Sequence, residues 1–102
     1  MNYIYQIGRC TYITKSSAGI PILEDAGHYA WYDTFEKAEN CVLENIGDIN
    51  ETIYDWVIIE KYEFNVSNSV ATQRWFYKFN EQLDKYEKAE EPEYFKHSCN
   101  LI

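Results

Sequence analysis

The segment YDWVIIEKYEF, Tyr54 to Phe64, decides the fold. Read with the two-residue period of a β-strand, Tyr54, Trp56, Ile58, Glu60, Tyr62 and Phe64 share one face. Asp55, Val57, Ile59, Lys61 and Glu63 share the other. Both faces are apolar from Trp56 to Ile59, while the second half turns polar on one side. Such a strand belongs in the centre of a sheet, with a helix covering one of its faces.

The unit DTFE, Asp33 to Glu36, supplies the helix start. Asp33 is placed to cap the free N–H groups, and Glu36, three residues on, to close a capping box. An apolar stripe follows at Phe35, Ala38, Val42, Ile46, Ile49 and Ile53 in steps of three or four. Glu36, Lys37, Glu39, Asn40 and Glu44 fall mainly on the other side. The spacing predicts a helix from Thr34 to about Ile46, with Gly47 and Asp48 at its indistinct end.

Further out, Tyr3 to Arg9 alternates as a first strand, with Tyr12 and Ile13 available to prolong it. KSSAGIP, Lys15 to Pro21, reads as an ordinary surface loop, and Ile22 and Leu23 as a short strand or a core plug. His28 to Tyr32 is a second strand. Beyond the central strand, Asn65 to Ser69 is a connection and Val70 to Phe79 another strand. Asn80 to Gln82 reverses the chain, and Leu83 to Lys88 returns as the second arm of a hairpin. Glu91-Pro92 opens a short helix that Tyr94, Phe95 and Leu101 would pin down. The expected order is β-β-α-β-β-β-α. That is an α+β fold, a mainly antiparallel sheet of four to five strands packed by one main helix. No repeat or linker divides residues 1–102, so a single domain is expected.

At DTFEKAE followed by YDWVIIEKYEF the chain resembles small uncharacterised α+β domains of bacterial and phage type. In these, an N-terminal strand precedes a helix and a hydrophobic strand ending in charges. The resemblance spans Tyr3 to Phe64 and implies a β-α-β packing unit with no catalytic residues.

Charge narrows the functional classes. Seventeen acidic and nine basic residues give a formal charge of -8. Cutting after Ile46 leaves three basic and six acidic residues before it, and six and eleven after it. Neither part carries the cationic footprint that nucleic acid or anionic lipid requires, so no direct nucleic-acid or membrane contact is expected. No segment reaches the apolar length of a membrane span, and MNYIYQIGRC lacks the basic start of a secretion signal. Cys10, Cys41 and Cys99 form an odd set without framework spacing, which reads as reduced, packed thiols in a cytoplasmic protein.

Chemistry-bearing motifs are sparse. Neither CxxC nor HExxH occurs, His97 and Cys99 do not share a helical face, and no metal is expected. Gly8, Gly19, Gly27 and Gly47 fit no phosphate-binding pattern, so no cofactor is expected. A small hydrolase or ligand-binding protein is the alternative carried by His28, Cys41 and Glu60, and it requires at least two of them in one pocket. The expectation is no catalytic set.

Aromatic content is the strongest remaining signal, with ten Tyr, five Phe and three Trp. Rigid amphipathic rings make good contact area when left at a surface. The leading expectation is therefore a non-catalytic protein-interaction module using an aromatic-rich sheet surface. Its candidate contact residues are Trp75, Phe76, Tyr77 and Tyr86 on the hairpin, and its partner is another protein or a second copy. A second alternative is an acidic nucleic-acid mimic that inhibits a basic protein, through the patch Glu87, Glu90, Glu91 and Glu93. The competing reading of that patch is a solvated turn with acids at a helix start.

Overall fold

The computed structural model describes residues 2–64 and 70–95. The expected connection at 65–69, together with His97, Cys99 and Leu101, lies outside them. The described chain is an α+β fold. Five antiparallel strands form the main sheet: β1 (Tyr3–Cys10), β4 (Gly27–Tyr32), β5 (Trp56–Glu63), β6 (Gln73–Asn80) and β7 (Lys85–Ala89). A two-stranded ribbon pairs β2 (Ile13–Lys15) with β3 (Pro21–Leu23), and α1 spans Phe35–Leu43. The sheet order is β4-β1-β5-β6-β7, so the Tyr54 to Phe64 segment does supply the central strand.

Pairing registers follow the alternation. On β1, Ile7 faces Ile59 and Gln6 faces Glu60; on β6, Trp75 faces Ile59 and Arg74 faces Glu60. Between β1 and β4 the register shifts at Ile7 and Gly8, which leaves Tyr29 as an extra residue between His28 and Ala30.

Two cores explain why β5 is apolar on both faces. On one side Ala38, Cys41 and Val42 of α1 pack with Ile7, Val57, Ile59, Tyr77 and Tyr86. On the other, Ile58, Phe76 and Phe95 are buried with Ile13, Leu23, Trp56 and Ala89 against them. The ribbon and the last turn therefore cover the face that the helix does not.

Several expectations need correction. Of the expected terminal helix the described residues hold a 3-10 turn, Glu93–Phe95, so α1 is the one α-helix among the described residues. The loop expected from Lys15 to Pro21 is present over 16–20 as the tip of the β2–β3 ribbon, but Lys15 and Pro21 pair as strand residues. The tip is closed by hydrogen bonds from Ser16 N–H to Ile20 O and from Gly19 N–H to Ser16 O, with Gly19 at φ +80. The ribbon raises the strand count above the expected order. Thr34, not Asp33, caps α1: its extended backbone lets Oγ1 accept from the Lys37 N–H at 3.2 Å. Lys37 then holds the third helical position, so no capping box with Glu36 forms.

The helix also stops at Leu43, short of Ile46. Asn45 adopts a left-handed φ of 47, Ile46 N–H donates back to Cys41 O, and Asn45 N–H donates to Val42 O. This pair of bonds is a Schellman termination built on asparagine. Downstream of it, Ile49 is buried while Ile46 and Ile53 are exposed. The hairpin is shifted too: β6 begins at Gln73, and Leu83 lies in the turn before β7.

Candidate functional site

The hairpin aromatics do not form an outer surface. Phe76, Tyr77 and Tyr86 are 2%, 0% and 1% exposed, and Trp75 is half-buried. Phe76 meets Phe95 edge-on at 5.0 Å, and Tyr86 meets Phe79 edge-on at 5.0 Å. The two tyrosines are accommodated because their hydroxyls find acceptors: Tyr77 donates to Glu39 Oε2 at 2.6 Å, and Tyr86 to Tyr54 O. This corrects the expected contact set at Phe76, Tyr77 and Tyr86, whose buried rings present no area to a partner.

The acidic residues are interleaved with lysines. Glu87 pairs with Lys78 across the ladder and accepts from Asn80 Nδ2 at 2.7 Å. Lys88 lies 3.5 Å from Glu39. Glu90 is exposed and Glu91 half-buried just past β7, and Glu93 opens the 3-10 turn.

His28, Cys41 and Glu60 do not converge. Cys41 is buried in the helix-side core, whereas Glu60 points to the opposite face of the sheet, where Arg74, Tyr62 and Gln6 surround its carboxylate. His28 sits on edge strand β4 and stacks on Trp31 at 5.6 Å. The pocket that the hydrolase alternative required is not formed by these residues. Among the described residues, no group of three His, Cys, Asp or Glu side chains is arranged to hold a metal, and no helix is long and apolar enough to cross a membrane.

A concave surface appears elsewhere, for a geometric reason. Nine helical residues make α1 about 13 Å long, whereas the eight residues of β1 extend about 26 Å. The helix therefore leaves part of its own side of the sheet uncovered. There the start of β1, the chain just after β5 and the first turn of α1 enclose a cleft of about 600 Å³. Its apolar walls are Tyr3, Tyr5, Phe35 and Phe64, and its polar rim is Asn2, Asp33, Thr34 and Glu36.

The walls are braced. Phe35 contacts Trp75 at 4.3 Å between centroids, and Tyr5 contacts both Phe35 (6.2 Å, edge-on) and Trp75 (6.1 Å). Trp75 thus stands behind the cleft and supports it. Phe64 N–H donates to Asn2 O at 2.9 Å, which ties the two chain segments of the mouth together. On the neighbouring strand, Lys61 Nζ lies 4.0 Å from the Tyr3 ring centroid and 6.0 Å from that of Tyr5. On the rim, the hydrogen bond and charge of Lys37 hold the Asp33 carboxyl below the usual carboxylate range.

The sequence contained every one of these residues, in other roles. Phe35 counted as helix stripe, Phe64 as a strand end, and Asp33 and Glu36 as caps. The available signal was the placement of Tyr3 and Tyr5 on the helix-facing side of β1, ahead of the residue the helix reaches. No family model matches the chain, and neither a curated protein nor a solved structure is detectably similar to it.

Proposed function

We propose that this protein is a non-catalytic protein-interaction module whose contact surface is the aromatic cleft beside the start of α1. One observation carries the reading: four aromatic side chains line an open cavity of about 600 Å³. Phe64, at its mouth, keeps 47% of its surface exposed. The cavity is large enough to take one or two side chains of a partner, and rings already held by packing lose little entropy on contact. The aromatic-surface idea is thereby kept and moved from the hairpin to the cleft between β1 and the start of α1, with Trp75 behind it.

Selection of displayed random peptides on the full chain tests it. Enriched peptides should lose binding to Phe64→Ala and keep it for Leu83→Ala, which removes an exposed apolar side chain from the β6–β7 turn. Peptides that bind both variants equally, or no enrichment at all, would count against the cleft.

A further inference from the structure

We infer that the outer edge of β7 is a contact surface for a second copy of this chain, the two β7 strands pairing antiparallel about a two-fold axis at Tyr86. Among the described residues nothing pairs with that side of β7, so alternate N–H and C=O groups along Lys85–Ala89 lack a strand partner. This edge is separate from the aromatic cleft and does not depend on it.

Charge selects both the partner and the register. A two-fold axis through a continuous antiparallel sheet opposes residues that point to the same face. Pairing therefore centres on a residue, and three interior positions of β7 are open to it: Tyr86, Glu87 and Lys88. Centring on Glu87 or on Lys88 sets that charge directly against its own copy, which destabilises the pair. Centring on Tyr86 sets Lys85 against Glu87 of the second copy, twice by symmetry. Within each chain Glu87 already faces Lys78 across the hairpin. The joined sheet then carries Lys78, Glu87 and Lys85 of the second copy in one row, alternating in sign.

The remaining charges near the seam are also accounted for. Lys88 lies 3.5 Å from Glu39, and Asp84, just before the strand, comes level with Lys88 of the second copy. Glu44, together with Glu81 and Glu90 beyond the two ends, leaves the strip slightly acidic, and each chain carries -8. That repulsion is screened beyond about 8 Å at physiological salt, whereas opposed residues of a strand pair stand about 5 Å apart. On the helix side, a gap of about 570 Å³ lies over this edge between Leu43 and Tyr86. The axis sets both helices on one side of the joined sheet, with the two Leu43 side chains flanking the seam.

The same charges turn away a strand of unmatched sequence, and a two-fold pair consumes both β7 edges, so growth at this margin stops at two copies. The matched stretch is short, so the dimer is weak, with a dissociation constant on the order of 0.1 mM.

Sedimentation equilibrium of the full chain from about 10 μM to about 1 mM brackets that constant and tests the inference. The mean mass should rise from that of one chain toward that of two. Lys85→Glu and Glu87→Lys should each weaken pairing by about tenfold or more, because both symmetric pairs become like-charged. An equimolar mixture of the two variants should regain it, since every opposed pair is then of opposite sign, and regained mass also shows that both variants fold. Phe64→Ala, in the cleft, should leave pairing unchanged. A mass that stays at one chain throughout, single variants that pair as the parent does, or a mixture that stays monomeric would each overturn the inference. So would loss of pairing in Phe64→Ala, which would place the second copy in the cleft instead.

Discussion

Arg74 and Glu60 face each other across β6 and β5, and the Arg74 Nε–H donates to Glu60 Oε2 at 2.9 Å, with side chains only 8% and 0% exposed. The Tyr62 hydroxyl donates to the other carboxylate oxygen at 3.2 Å, and Gln6 Nε2 makes a long contact to it at 3.5 Å. Among the described residues Arg74 Nη2 is buried without a hydrogen-bond partner, a cost the cluster carries. The polar position that interrupts the apolar face of the central strand is thus a buried ion pair.

Breaking that pair from one side leaves an uncompensated charge inside the sheet. Glu60→Ala or Arg74→Ala should each cost about 3–5 kcal/mol in urea unfolding, whereas Glu60→Leu with Arg74→Met should come much closer to the parent. Single-mutant losses below about 1 kcal/mol, the level of a surface pair, would show that water reaches the cluster.

Alkaline pH should unfold the protein. Burial pushes the Cys10 thiol from 9.0 up to about 12. Burial, then the hydrogen bond to Glu39, pushes Tyr77 well above the ordinary tyrosine range, and burial does the same to Tyr62 and Tyr86. Above about pH 9 the unfolded chain releases these protons while the native state keeps them. The stabilisation is complete below that point and is lost as pH rises through the raised native values. Tm should be level near neutrality and fall from about pH 9 upward. Tyrosinate absorbance should show a part that rises only with unfolding. Tyr77→Phe should make the fall shallower, at a cost of about 1 kcal/mol near neutrality for the lost hydrogen bond.

At the helix start, Thr34→Ala should cost about 1 kcal/mol, because Oγ1 serves the Lys37 N–H. Asp33→Ala removes only an exposed pair with Lys37, and its effect should be clearly smaller than that of Thr34→Ala. Thermal unfolding of the two variants separates them, and the reverse order would restore the capping box read from the sequence.

Gly47 has φ +73, and a Cβ there would stand 2.3 Å from the Tyr29 hydroxyl oxygen, which itself donates to Ile46 O at 2.6 Å. Gly47→Ala should therefore cost about 1–3 kcal/mol, from backbone strain together with steric clash. In a Tyr29→Phe background the clash is gone and the same substitution should cost less. A double-mutant cycle without such coupling would place the whole penalty in the backbone.

The antiparallel sheet and its helix were legible because the signals are local: two apolar faces in Trp56 to Ile59, and a three-to-four stripe from Phe35. The helix end was not. Ile46, Ile49 and Ile53 continue the helical spacing, yet Asn45 has already turned the chain, and Ile49 reaches the core from a loop. Aromatic excess was misleading for a related reason. A tyrosine belongs inside when its hydroxyl finds an acceptor, and the acceptors of Tyr77 and Tyr86 lie 38 and 32 residues away. The cleft arises from the unequal lengths of α1 and β1, which no single segment encodes.

The extra residue at Tyr29 has a bearing on how copies of the chain meet. Among the described residues β4 is one margin of the sheet, and its broken register twists that margin away from the flat geometry a further strand would need. The opposite margin, β7, presents Lys85, Glu87 and Lys88 along a run of only five residues. Irregularity guards one flank and charge the other, so endless lateral growth into fibres is discouraged at both.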